Sequence, residues 1–180
     1  MNKARNNLKI ILLVTILFSI SLFLSMKMNG DSQKNNTSIN WVSYDDAFAN
    51  SQKDNKYIML YFYTDWCSYC KKMSSSTFTD KKVIAILTEN YFSIKINAES
   101  KEIFSLKAKK NGMALAQYYR VSGFPTLIFF EPTGKLLFNV PGYMDADYFV
   151  KVLDYIRGAY YKSMSFEQYS KKKWLLADFK

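Results

Sequence analysis

Cys67 and Cys70 are the only cysteines in the chain, and they share the run Trp66-Cys67-Ser68-Tyr69-Cys70-Lys71-Lys72. An apolar, strand-like run, Tyr57 to Tyr63, precedes them, and a segment of helical character follows. Two thiols at this spacing close a small disulfide ring when the second sits one helical turn after the first. The first thiol then lies at the helix N-terminus, where unsatisfied N–H groups favour a thiolate. The thiolate is the nucleophile in thiol–disulfide exchange, so strand, cysteine pair and helix together read as a redox site. Two other readings compete. A purely structural disulfide across so short a loop removes little unfolded-state entropy, so its stabilising role would be weak. A zinc site needs about four ligands, and the chain has no histidine and no other cysteine. No metal and no cofactor are expected.

The elements that must position this pair come from the rest of the chain. At 180 residues, one domain with appendages is expected. The formal charge is +10, but it sits largely in the tails. Residues 1–26 carry +3, residues 27–40 carry +1 and residues 161–180 carry +3, which leaves +3 for residues 41–160. That distribution does not support a nucleic-acid surface.

Lys3, Arg5 and Lys9 precede an uncharged, mostly apolar run over residues 10–26. This length reaches the lower limit for a membrane-spanning helix, about 17–25 residues. The run has no polar face, unlike a helix of a soluble domain. Residues 1–28 therefore read as a signal-anchor or a signal peptide. Ser25-Met26-Lys27-Met28 is a poor cleavage site, which favours an uncleaved anchor. In either case the rest of the chain is exported, because the flanking positive charges stay on the cytoplasmic side. The expected location is the periplasm or cell exterior, held at the cytoplasmic membrane. Residues 29–40 are rich in Asn, Ser, Lys and Gln and read as a flexible linker.

Residues 41–160 then alternate strands and helices. Trp41-Val42-Ser43 looks like a short opening strand, and Ser43 suits the N-cap of a helix over residues 44–54. Asp45 and Asp46 would lie at its positive end. Tyr57–Tyr63 is apolar throughout and reads as a central strand. A helix follows through residue 78, and Asp80 caps another over residues 81–90. Residues 91–97 alternate as a strand. Residues 99–111 are lysine-rich and read as a loop or an ill-defined helix. A helix over 112–120 and a strand over 127–130 come next. Glu131-Pro132-Thr133-Gly134 signals a turn, and residues 135–140 return as an antiparallel strand. Asp145 caps a helix over residues 146–161. The pattern is that of a three-layer α/β domain. Residues 161–180 read as a C-terminal tail. Ser165 to Gln168 has capping-box spacing for a short helix there, loosely packed or serving as a contact for membrane or partner.

Taken together, Trp66-Cys67-x-x-Cys70-Lys71, Gly123-Phe124-Pro125-Thr126 before a strand, and Gly142 after the hairpin resemble the thioredoxin superfamily. The likeness covers roughly residues 41–160, and is greatest to exported thioredoxin-like proteins and the soluble domains of disulfide interchange proteins. It implies a thioredoxin fold, an α/β domain with a central mixed sheet flanked by helices. It implies that Cys67 is the exposed attacking thiolate and Cys70 the buried resolving thiol. Pro125 would be cis, with the Phe124 backbone left to pair with substrate, while Trp66, Ser68 and Tyr69 shape the site. Two departures stand out. The family's buried acid before the motif is replaced by Tyr61, which leaves Asp65 or water as the candidate proton relay. The stretch between Asn97 and Gly123 is also longer than the plain thioredoxin core.

The implied function is an extracytoplasmic thiol–disulfide oxidoreductase that reduces protein disulfides. With no second cysteine pair, a separate membrane thiol electron donor must recycle it. An oxidase or isomerase, or a tethered binding or chaperone module, are the alternatives.

Overall fold

A computed structural model describes the backbone of residues 37–177 and the side chains as far as residue 172. The apolar run 10–26 lies outside the described residues, as does most of the linker at 29–40. Helix α1 spans Tyr44–Asn50, strand β1 spans Tyr57–Tyr63 and helix α2 spans Ser68–Ser75. Helix α3 (Lys81–Asn90) and strand β2 (Tyr91–Asn97) follow. Two short strands, β3 (Ile103–Ser105) and β4 (Lys110–Asn111), precede helix α4 (Gly112–Tyr118). Strands β5 (Thr126–Phe130) and β6 (Leu136–Pro141) lead to helix α5 (Ala146–Arg157) and helix α6 (Phe166–Ala177).

The sheet runs β2-β1-β5-β6. Strand β1 is parallel to β2, from Tyr57↔Tyr91 to Tyr63↔Asn97, and antiparallel to β5. The pair β5/β6 is antiparallel, as its turn sequence requires. Alternation along β1 sends its side chains to opposite faces. Met59 and Tyr61 join Leu127 and Phe129 beneath Met73, Leu87, Phe149 and Leu153 of α2, α3 and α5. Ile58, Leu60 and Phe62 join Ile94, Ile96 and Ile128 beneath Ala47 and Leu115 of α1 and α4. The three-layer expectation is met, and β1 is buried on both sides, so it carries no polar alternation.

Capping explains the helix starts. Ser43, Asp80 and Asp145 each accept backbone N–H groups of the first turn that follows them. Several ends differ from expectation. Helix α1 stops at Asn50, before a turn that places Asn55 in the left-handed region at φ 50°. Helix α2 stops at Ser75 and a separate 3-10 turn covers Thr77–Thr79, with the Thr77 hydroxyl bonded to the Met144 carbonyl.

Of the segment 99–111, residues 99–102 are irregular, as a loop reading expects, whereas residues 103–111 form the β3–β4 hairpin. Its tip is held by Asp45, which accepts from Ser105 Oγ (2.7 Å), Leu106 N (2.8 Å) and Lys107 N (3.2 Å). Strands this short carry no readable period, and their anchor lies in α1. Gly112 follows the hairpin and has no room for a side chain, because a Cβ there would overlap the Asn97 carbonyl.

The first part of the C-terminal segment, residues 161–169, packs on the core rather than hanging as a loose tail. Ser165 and Gln168 exchange reciprocal bonds as a capping box. Tyr169 is buried, with its ring 5.4 Å from that of Tyr155 and 4.8 Å from that of Tyr160.

Candidate active site

The turn at the end of β1 delivers Asp65 and Trp66 to the surface and Cys67 to the start of α2. Cys67 is the N-cap: its N–H donates to the Thr64 carbonyl, and its carbonyl accepts from Lys71 N. Its Sγ accepts the Cys70 N–H at 3.0 Å. The two cysteines are joined as a disulfide, with Cα atoms 5.2 Å apart. The first sulfur thus sits on a first-turn amide of α2 that would stabilise its thiolate after reduction.

Cys67 is 4% exposed and Cys70 2% exposed. The resemblance implies an exposed Cys67; in the disulfide state it is nearly as covered as its partner. What stands open instead is aromatic: Trp66 is 67% exposed and Tyr69 is 60% exposed. Ser68, the first residue of α2, is exposed between them.

The second loop of the site precedes β5. The Phe124–Pro125 peptide bond is cis, as the resemblance implies. Thr126 Oγ1 donates to the Gly123 carbonyl at 2.7 Å, and Gly142 N–H donates to the Pro125 carbonyl at 2.8 Å. Gly142 takes φ 100°, a region that favours glycine. The Trp66 and Phe124 rings meet edge-on at 6.0 Å, which brings the two loops together. On the other flank, Tyr69 and Tyr143 lie 6.1 Å apart, and Lys72 Nζ stands 4.7 Å over the Tyr143 ring.

Tyr61 is fully buried, and its hydroxyl donates to the Cys70 carbonyl at 3.2 Å. Burial pushes this hydroxyl above its ordinary value. Asp65 is exposed and accepts from Asn97 Nδ2 at 3.0 Å. Among the described residues, no three carboxylates or cysteines are grouped as metal ligands.

Three neighbours of the site escape a sequence reading: Asn97, Glu99 and Tyr143. Trp66 Nε1–H donates to Glu99 Oε1 at 2.9 Å. Asn97 reaches the turn because it pairs with Tyr63 at the end of the parallel register. Only that register could have pointed to it.

Comparison with known proteins agrees with this geometry. The thiol:disulfide interchange protein DsbD of Campylobacter jejuni (strain RM1221) is 28% identical over 159 residues, which is 81% of this chain and 26% of that protein. The disulfide bond reductase DsbH of Chlamydia pneumoniae is 28% identical over 100 residues, which is 55% of this chain and 60% of that protein. The chain therefore spans about a quarter of the DsbD relative's length and 60% of DsbH's.

Among solved structures, a thioredoxin-fold protein from Helicobacter pylori superposes with a TM-score of 0.60 at 25% identity, over 68% of this chain and 87% of that one. The thioredoxin of Thermus thermophilus gives 0.56 at 26% identity, over 66% and 87% of the two chains. Residues 44–157 match the thioredoxin-like domain family. That stretch takes in every strand of the main sheet and both loops around the disulfide, so the chain belongs to the thioredoxin-like domain family, with a Cys67–Cys70 pair suited to thiol–disulfide oxidoreduction.

Proposed function

We propose that this protein reduces disulfides in other proteins outside the cytoplasm, with Cys67 as the attacking thiolate and Cys70 as the resolving thiol. The observation that carries this reading is Cys67 at the N-cap of α2, with its Sγ on the Cys70 amide and the cis Phe124–Pro125 loop reached through Trp66. The helix N-terminus favours a thiolate at Cys67, and Lys71 and Lys72 add positive charge next to it.

The reduced Cys67 thiolate attacks one sulfur of a substrate cystine, forming a mixed disulfide and releasing one substrate thiolate. Cys70, losing its proton, then attacks Cys67 Sγ. The second substrate sulfur leaves, and the Cys67–Cys70 disulfide forms. The substrate gains two electrons, and this pair loses two. Asp65, two residues before Cys67, is the candidate relay for the Cys70 proton. Trp66, Ser68, Tyr69, Phe124 and Pro125 form the surface that receives an extended substrate segment.

The chain has no second cysteine pair, so a dithiol on a separate membrane carrier returns the electrons. Likeness to the thiol:disulfide interchange protein DsbD supports the chemistry, and likeness to the disulfide bond reductase DsbH supports its direction. Residues 1–28 form the anchor, 29–40 the linker, 41–160 the exchange domain and 161–180 a C-terminal tail. The basic and apolar N-terminal run supports this location.

Insulin reduction by the full chain with dithiothreitol tests the chemistry. Wild type should accelerate it and Cys67→Ser should not; an inactive wild type with both thiols free would defeat the reading. Titration against glutathione tests direction. A potential more reducing than about −200 mV fits a reductase, and one near about −120 mV makes the protein an oxidant. A mature N-terminus near Gly30, found by mass spectrometry, would refute the anchor.

A further inference from the structure

We propose that Glu99 is a positioning residue of the exchange site: together with Asn97 it fixes the Trp66 indole over Phe124 and so preforms one wall of the substrate cleft. This rests on the oxidoreductase reading above. At 67% exposure, Trp66 is not held by burial. It has two handles instead. Its ring meets Phe124 edge-on at 6.0 Å, and its Nε1–H donates to Glu99 Oε1 at 2.9 Å. The first contact is apolar and tolerant of angle. The second is a bond to a carboxylate and sets the ring's rotation.

Glu99 is itself placed by Asn97. The Glu99 N–H donates to Asn97 Oδ1 at 3.0 Å, and Asn97 Nδ2 donates to Asp65 Oδ2 at 3.0 Å. Asp65 and Trp66 are neighbours in the chain, so the circuit closes: turn to Asn97, Asn97 to Glu99, Glu99 back to the turn. Asn97 is in turn fixed by its pairing with Tyr63. Its carbonyl accepts the Ser100 N–H at 3.1 Å, and the Ser100 carbonyl accepts from Met113 N at 3.3 Å. The longer segment after β2 therefore has a task at the active site. It begins by returning Glu99 to the indole, and the Gly112 backbone packs tightly against the Asn97 carbonyl that supports it.

A cleft wall fixed before substrate arrives leaves less rotamer freedom to be lost on docking. Loss of Glu99 should therefore weaken docking more than chemistry. In the full chain, Glu99→Ala should raise KM for a protein disulfide substrate about three- to tenfold, with kcat within about twofold of wild type. Glu99→Gln keeps an acceptor oxygen and should restore most of the loss. Trp66→Phe keeps a ring but lacks the N–H, so adding Glu99→Ala to it should raise KM no further.

The inference is overturned if Glu99→Ala leaves KM unaltered, if Glu99→Gln is as impaired as Glu99→Ala, or if the alanine effect persists beside Trp66→Phe. An inactive wild type would refute the oxidoreductase reading, not the clamp. The clamp is read separately from the indole N–H resonance that Trp66→Phe removes. That resonance should shift on Glu99→Ala, and an unshifted resonance rules the clamp out.

Discussion

Tyr61 lies fully buried where the thioredoxin resemblance leads one to expect an acid, and its hydroxyl anchors the Cys70 carbonyl. An ordinary tyrosine loses its proton near pH ~10, and burial raises this one further. At neutral pH it is a donor and cannot accept the proton that Cys70 must lose. Tyr61→Phe should therefore leave the pH–rate profile of disulfide exchange in place. It should lower stability by about 1 kcal/mol through the lost buried hydrogen bond, as read by urea unfolding. A displaced profile would make Tyr61 part of the proton route. Residue type and spacing identified the cysteines, and the family resemblance identified the missing acid. Neither could identify Glu99, whose role depends on where Trp66 points.

At the level of elements, the β3–β4 hairpin depends on a carboxylate in α1. The sequence suggests Asp45 as a partner of its own helix dipole, and the fold uses it to hold residues 105–107. The Ser105 hydroxyl first, then the Lys107 and Leu106 amides, hold its carboxyl below the usual carboxylate range. A depressed folded value means that the stabilisation is complete above the unfolded value of about 4. It is lost as pH falls through the lower folded value. Asp45→Asn should thus melt below wild type at neutral pH, and the gap should close as pH drops below about 4. A gap constant over that range would refute the assignment. The main elements were legible because each carries its own signal: an apolar run at β1, caps at Asp80 and Asp145, a turn at Pro132-Thr133. The hairpin has none of these.

On the scale of the molecule, two cores share one sheet, and the disulfide sits at the edge of the core formed by α2, α3 and α5. Helix α6 completes that core through Tyr169 and through Phe166, whose ring lies 5.3 Å from that of Tyr155. The Tyr155 hydroxyl donates to the Met164 carbonyl at 2.7 Å, tying α5 to the chain before α6. Tyr169→Ala should cost about 2–3 kcal/mol and lower the melting temperature by roughly 5–10 °C. A change under about 1 °C by calorimetry would return α6 to the status of a loose tail.

The sequence by itself determined the chemistry available, the order of the main strands and helices along the chain, and the Phe124–Pro125 loop as its partner. These rest on residue type, period and local caps, which act over a few positions, and on a family likeness carried by short motifs. Only the tertiary structure decided that Cys67 is covered in its disulfide, that Asp45 serves a hairpin sixty residues away in sequence, and that Glu99 holds Trp66. The reason is register: the parallel pairing of β1 with β2 brings Asn97 opposite Tyr63, beside the turn that leads to the cysteines. The Cys67–Cys70 pair was legible from its spacing, but the wall beside it exists only once those two strands align.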